Sequence, residues 1–197
     1  MVVGPDTMRD VSAAQYDEVE ELLNAAFPTD AEARLVRKLR SDGDMLLEFQ
    51  KPWEGRIGGY FALSRMQAPA GWACLAPMAV RPEWQGGKLA GGNPNMVVGE
   101  AQDEAYRRPW RFGSRMLQQL AGLYEMTLDG LLDEMPNQLP EAIVVLGEPS
   151  FYGRHGFDLA RAQKLRSPYP LSHTLILKRG EDVPEQSLIY PAAFAEL

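Results

Sequence analysis

Apolar residues recur at helical spacing in the first part of the chain. Ser12 is a candidate N-cap, and the apolar positions that follow it over 16–27 predict a helix that Pro28 ends. Asp30 is the candidate cap of a second helix, which Gly43 should stop. We expect the apolar residues of the second helix to face the core and its basic residues to face solvent. The apolar set is Ala33, Leu35, Val36 and Leu39, and the basic set is Arg34, Arg37, Lys38 and Arg40.

The pattern then changes from helical to strand-like. Runs rich in apolar residues predict strands at 45–50, 57–66 and 72–80, and the segment 52–55 has the composition of a turn. The third strand is almost wholly apolar, so it should lie at the centre of a sheet. Pro77 lies inside it and lacks a backbone donor, which predicts a bulge at that point.

The rest of the chain alternates loops, helices and strands. Residues 86–109 contain Gly-Gly and Asn-Pro pairs, which are typical of a loop. An apolar stripe over 116–135 predicts the longest helix, which Pro136 closes. Three short elements follow: a strand at 142–146, a helix at 149–155 and a strand at 174–177. This order predicts an α/β (α+β) fold, a three-layer sandwich in which helices cover a mixed sheet.

Composition and charge narrow the classes of protein to which the chain can belong. Of its 197 residues, 45% are hydrophobic and 24% are charged, which suits a single globular domain. The formal net charge of −7 disfavours nucleic acid and anionic membrane surfaces as partners. No apolar run approaches the ~18 residues of a membrane span, and the N-terminus has no basic segment before an apolar one. We therefore predict a cytoplasmic protein with neither a membrane nor a nucleic-acid partner.

The cysteine and histidine content disfavours disulfides and metal chemistry. Cys74 is the one cysteine, and its apolar neighbours predict a buried strand position rather than a nucleophile. The two histidines, His155 and His173, do not form the His-x-x-x-His spacing of a zinc hydrolase.

One strand–loop–helix unit has the features of an anion site. A buried strand ends near Val80, and Gly113 opens the long helix, whose first N–H groups would point at the loop between them. Gly113 lacks a side chain, so a phosphate could approach the backbone there. Four arginines lie nearby, namely Arg107, Arg108, Arg111 and Arg115. Their guanidinium groups suit phosphate, but they could equally form a solvated face that balances neighbouring carboxylates.

A second segment, residues 145–157 with the sequence VLGEPSFYGRHGF, leads from a strand into a short helix. Tyr152 lies in that helix. Taken alone, a tyrosine in this position is more often a packing residue than a catalytic one.

Together, four segments resemble the GNAT superfamily of N-acetyltransferases, in its YhbS-like bacterial subgroup. They are 27–40, 75–86 (LAPMAVRPEWQG), 145–157 and 190–194 (YPAAF). The resemblance implies one domain over 1–197 with an insertion at about 87–110. It also implies a mixed, mostly antiparallel sheet of six to seven strands that splays open between the strands at 72–80 and 143–146. The implied reaction moves an acetyl group from acetyl-CoA, as co-substrate, to an amine.

The resemblance also assigns roles to individual residues. It implies that Tyr152 faces the sulfur of CoA and protonates the leaving thiolate. The residues implied to contact acetyl-CoA are Met78, Ala79, Val80, Gln85, Gly86, Arg111, Gly113 and Ser114. This sequence departs from the family's unbroken phosphate-loop pattern, because the pattern begins at Gln85 and resumes only at Arg111.

Several points stay open at the level of sequence. The strand at 72–80 has no carboxylate, so the general base is Asp30, Glu32 or a water relay. The acceptor is an amine of a small molecule or a peptide, and a homodimer is one compatible assembly. The alternative function is a degenerate GNAT domain that binds CoA or a partner without turnover. An unrelated small-molecule-binding α/β domain is the other alternative, to be preferred only if CoA failed to bind.

Overall fold

The computed structural model describes residues 8–85, 112–126, 140–180 and 183–196, and a six-stranded sheet forms its centre. The strands lie side by side in chain order. They are β1 (Arg9–Asp10), β2 (Met45–Trp53), β3 (Arg56–Arg65), β4 (Trp72–Val80), β5 (Ala142–Leu146) and β6 (Thr174–Lys178). β4 and β5 are parallel, and the other neighbouring pairs are antiparallel. The predicted mixed, mostly antiparallel sheet is confirmed.

Helices cover both faces of the sheet. α1 (Tyr16–Ala26) and α2 (Ala31–Asp42) pack on one face, and α3 (Phe112–Met126) packs on the other. Two short helices follow β5, namely α4 (Pro149–Tyr152) and α5 (Leu159–Ala162). This arrangement is the three-layer sandwich that the element order predicts.

Local sequence explains where the first two helices begin and end. Ser12 and Gln15 form a capping box before α1, and the Ser12 N–H donates to the Gln15 side chain at 3.1 Å. Gly43 ends α2 with a φ of 77°, a left-handed conformation that glycine adopts without a steric cost. Asp30 precedes α2 as predicted, but its carboxylate accepts from the Arg34 side chain and does not cap a backbone N–H.

The central strand agrees with its predicted bounds and carries the predicted bulge. Phe61 of β3 pairs with Met78, and Leu63 pairs with Leu75, so β4 has one residue more than β3 in this stretch. The extra residue lies next to Pro77, which cannot donate to the ladder. The bulge changes which residues of β4 face each side of the sheet.

Short and irregular elements escaped the sequence prediction. The two-residue strand β1, helix α5 and the 3-10 turn Ala192–Glu196 are too short to show a hydrophobic period. β2 extends to Trp53, so the predicted turn at 52–55 shrinks to residues 54–55.

The prediction that Arg40 faces solvent is wrong. Its side chain is only 11% exposed and its Nη2 lies 2.7 Å from Oε1 of Glu48, whose side chain is 8% exposed. The Tyr60 hydroxyl donates to the same carboxylate oxygen at 2.6 Å, and the Arg40 guanidinium lies 3.7 Å from the ring centroid of Tyr16. Burial of Glu48 on β2 needs a cation in reach, and Arg40 of α2 supplies it.

Candidate functional site

The site begins where two neighbouring strands stop pairing. β4 and β5 pair from Trp72 with Ala142 to Leu75 with Val145. From Ala76 onward, β4 pairs only with β3 among the described residues. The bulge next to Pro77 lies at the start of this unpaired edge, so the edge has backbone groups that the sheet does not use.

Backbone alternation decides which groups point at the unpaired edge. The Arg81 N–H donates to Gly58 of β3 at 3.0 Å. Successive residues of a strand direct their polar groups to alternate sides, so those of Ala79 also face β3. The groups of Met78 and Val80 then face the unpaired edge. The Val80 carbonyl agrees, because it accepts from the Gln85 side chain at 2.7 Å.

Tyr152 lies beside this edge. β5 leads into α4, where Pro149 occupies the first turn and the Glu148 side chain accepts from the Ser150 N–H. The Tyr152 hydroxyl is 3.9 Å from Sδ of Met78, so it reaches the unpaired part of β4. The Tyr152 ring meets Phe157 edge-on at 5.7 Å between centroids, which fixes its plane.

A glycine that the sequence prediction missed makes this position of the ring possible. A Cβ on Gly147 would lie 2.2 Å from Cε2 of Tyr152, closer than any real side chain allows. Gly147 directly follows β5. The sequence did contain a signal for this close approach, because a glycine stands between a buried strand and the segment that contains Tyr152.

Burial controls the protonation of Tyr152. Burial, with a smaller effect of Cys74, raises the pKa of the Tyr152 phenol to about 12. The hydroxyl therefore keeps its proton at neutral pH and is available as a hydrogen-bond and proton donor.

The first turn of α3 contacts the same part of β4. A Cβ on Gly113 would lie 3.2 Å from Cε of Met78 and 3.3 Å from Cζ of Phe151. The missing side chain of Gly113 therefore allows α3 to approach β4 closely. The sequence prediction had explained this glycine by the approach of a phosphate instead. Ser114 is half-buried in the same turn, where helix N–H groups have no partner within the helix.

Of the remaining residues predicted to contact acetyl-CoA, some lie within the described residues and some lie outside them. Gln85 lies five residues after the end of β4, and its side-chain amide donates a hydrogen bond to the Val80 carbonyl. Gly86, Arg111 and the predicted insertion at about 87–110 lie outside the described residues. Of the four arginines, Arg115 alone lies within them, where it is half-buried on α3.

The two candidate bases differ in their surroundings. The Asp30 carboxylate is 56% exposed and paired with Arg34 at 2.8 Å. Glu32 is half-buried, and its Oε2 atom is buried without a hydrogen-bond partner among the described residues.

The surroundings of Cys74 disfavour a nucleophilic cysteine. Cys74 is buried, as predicted, and burial raises the pKa of its thiol to about 12. No group of three or more His, Cys, Asp or Glu side chains in residues 8–85, 112–126, 140–180 and 183–196 could hold a metal ion. None of the helices in these ranges is both long enough and apolar enough to cross a membrane.

Comparison with curated proteins finds YhbS of Escherichia coli among the relatives of the chain. No protein family profile matches the chain. The chain is 32% identical over 156 residues to YhbS of Escherichia coli strain K12, an uncharacterized N-acetyltransferase. The match covers 77% of this chain and 73% of YhbS.

Solved structures show the same fold. The crystal structure of E. coli YhbS, a GNAT family N-acetyltransferase in complex with CoA, has a TM-score of 0.64 at 24% identity and covers 96% of this chain and 92% of that one. A GNAT family acetyltransferase from Brucella melitensis, in complex with acetyl-CoA, has a TM-score of 0.63 at 20% identity. That match covers 95% of this chain and 97% of the Brucella chain.

Proposed function

The chain belongs to the YhbS-like branch of the GNAT superfamily of N-acetyltransferases, and from that premise we propose that it moves an acetyl group from acetyl-CoA to an amine of a small molecule or peptide. One observation carries the proposal: the Tyr152 hydroxyl lies 3.9 Å from Met78, beside the unpaired edge of β4. The E. coli and Brucella structures contain CoA and acetyl-CoA, which supports the same donor here.

The unpaired edge of β4 is suited to hold the acyl donor. Acetyl-CoA supplies a thioester carbonyl that an amine can attack. The N–H groups of Met78 and Val80 face this edge, and either could donate to the carbonyl oxygen as negative charge develops on it. Ala79 directs its backbone to β3, so we assign it a packing role beneath the donor.

Tyr152 is suited to be the general acid. Its pKa of about 12 keeps the phenol protonated, and its hydroxyl lies at the same edge of β4. A thiolate that leaves the acyl group beside Met78 would take this proton. Tyr152 then regains a proton from the newly formed amide nitrogen or from water.

The start of α3 is suited to the phosphates of the donor. The first-turn N–H groups near Gly113 and Ser114 have no partner within the helix, and such groups favour anions. Gln85, Gly86 and Arg111 stay proposed contacts, on the strength of the family pattern in the sequence.

Domain organisation and cellular setting belong to the same proposal. All described strands join one sheet, which supports a single domain over 1–197 with an insertion at about 87–110. A cytoplasmic location stays part of the proposal. A homodimer stays a compatible assembly.

Thermal unfolding with and without acetyl-CoA tests the proposal. Acetyl-CoA at about 100 times its dissociation constant should add about 2.7 kcal/mol to the free energy of unfolding. ATP is the control, because it shares the adenine and phosphates but lacks the pantetheine arm. A Tm that millimolar acetyl-CoA leaves unchanged would rule out the proposed donor.

A further inference from the structure

Arg81 is a buried cation at the end of the strand that the proposed donor site uses. It directly follows Val80, the last residue of β4, and its side chain is only 3% exposed. Two of its N–H groups donate to β3. The backbone N–H donates to the Gly58 carbonyl at 3.0 Å, and Nε donates to the Ile57 carbonyl at 2.7 Å. One residue therefore bonds the end of β4 to two consecutive peptide units of β3.

Two carboxylates of α1 face the same guanidinium. Nη1 of Arg81 lies 3.1 Å from Oε1 of Glu21, and Nη2 lies 3.9 Å from Oε1 of Glu18. The same oxygen of Glu18 accepts from the Ile57 N–H at 2.6 Å, so α1 is bonded both to β3 and to Arg81. The hydrogen bond from Arg81 lowers the pKa of Glu21, whose carboxylate therefore stays ionised at neutral pH.

Stability is a weak explanation for a buried arginine at this position. Removing a charge from water is costly, and a buried ion pair often stabilises a protein no more than apolar side chains of similar volume. Nη2 of Arg81 also lacks a hydrogen-bond partner among the described residues, which adds to the cost. A buried charge can instead serve to fix one arrangement of the backbone.

The backbone next to Arg81 is the part of β4 that faces the acyl donor. From Ala76 to Val80, β4 pairs only with β3 among the described residues, and the Val80 N–H faces the unpaired side. Groups that stabilise a developing charge are effective only when they are held in place before the reaction. A displacement of about 1 Å can cost about 100-fold in rate. Any shift of Arg81 would move the Val80 N–H with it.

On the basis of the function proposed above, we propose that Arg81 is a positioning residue, which holds the Val80 N–H in place to donate to the carbonyl oxygen of the acyl donor. Its guanidinium lies against β3 and α1, so it acts through Val80 and does not touch the donor. Glu21 contributes by holding the guanidinium. The bond from Val80 strengthens as negative charge develops on the carbonyl oxygen, so its loss lowers kcat more than the affinity for acetyl-CoA.

Arg81→Lys tests this role, with acetyl-CoA, a panel of primary amines and CoA thiol release as the assay. Lysine keeps the charge but has one nitrogen in place of three, so it cannot bond Ile57 and Glu21 with the same geometry. We expect kcat to fall about 10- to 100-fold. The acetyl-CoA-dependent rise in Tm should stay close to that of the wild type. A purely structural role would instead lower the Tm of the free protein and leave kcat per folded molecule unchanged.

Glu21→Gln is the second variant, because Glu21 is 58% exposed and its replacement should leave the fold intact. We expect kcat to fall about 2- to 10-fold in the wild-type background and not to fall further in the Arg81→Lys background, since the two residues act as one unit. Arg37→Lys is the matched control. Arg37 lies on α2, where it is 56% exposed and pairs with Glu20 at 3.2 Å, so kcat should not change.

The outcomes separate the positioning role from the proposed function. An unchanged kcat in Arg81→Lys, with an active wild type, would overturn the positioning role and leave the proposed function standing. If Arg81→Lys did not fold, an unchanged kcat in Glu21→Gln would overturn the role by itself. A wild type that releases no CoA thiol with any of the amines would overturn the proposed function and the positioning role with it.

Discussion

The hydroxyl of Tyr152 illustrates how position and protonation combine at a single residue. Gly147 lets the Tyr152 ring approach the end of β5, and Phe157 packs edge-on against the ring. The hydroxyl at the far end of the ring contacts Sδ of Met78. Burial raises the pKa of the Tyr152 phenol to about 12, so the hydroxyl stays protonated at physiological pH. Its surroundings therefore fit a proton donor better than a nucleophile.

Tyr152→Phe should lower kcat by about 10²- to 10⁴-fold, the usual contribution of general acid catalysis. The ring stays, so its packing and the affinity for acetyl-CoA should survive. Steady-state kinetics together with the acetyl-CoA-dependent shift in Tm measure both effects. If kcat were unchanged, solvent would be the proton donor, and if the fold were lost, Tyr152 would be chiefly a packing residue.

At the level of elements, the junction between β5 and α4 sets the geometry of the site. The strand ends at Leu146, and the chain must turn at once so that α4 brings Tyr152 back to β4. Only a residue without Cβ fits at position 147, because the Tyr152 ring occupies that space. The contact between α3 and β4 also depends on a missing side chain, because a Cβ on Gly113 would lie 3.2 Å from Cε of Met78.

Gly147→Ala should displace the Tyr152 ring, since the new Cβ would lie 2.2 Å from it. We expect a loss of about 1–3 kcal/mol in the free energy of unfolding, typical of overpacking, and a fall in kcat. Gly122→Ala in α3 is the matched control, because nothing lies within 4 Å of its Cβ. That variant should gain up to about 1 kcal/mol from helix propensity and keep its activity. Urea unfolding and kinetics of both variants measure the difference, and equal behaviour would contradict the steric argument.

Regular elements were predictable from the sequence, and the details that depend on packing between elements were not. The bounds of β4 and β5, the bulge next to Pro77 and the end of α2 at Gly43 follow from local composition. Arg40 was predicted on the wrong side of α2, because its partner Glu48 lies on another element and a helical pattern does not reveal it. The buried Oε2 atom of Glu32, which lacks a hydrogen-bond partner among the described residues, is likewise visible only after folding.

At the scale of the whole molecule, the sheet separates the proposed proton donor from helices α1 and α2. Tyr152 and the start of α3 lie on one face, and α1 and α2 lie on the other. The proposed reaction is direct attack of the amine on the thioester, without a covalent intermediate on the protein. Cys74 of β4 is buried in the cluster on the α2 face, and burial raises the pKa of its thiol to about 12, so it is poorly suited to carry an acetyl group.

The most direct measurement follows isotope-labelled acetyl groups by mass spectrometry, with the full chain, labelled acetyl-CoA and a panel of primary amines. We predict labelled N-acetyl product in equal amount to released CoA thiol. With acetyl-CoA alone, the intact mass of the protein should stay unchanged, because transfer is direct. A protein that binds acetyl-CoA yet acetylates none of the amines would contradict the account in favour of a binding domain, and an acetylated protein intermediate would contradict direct transfer.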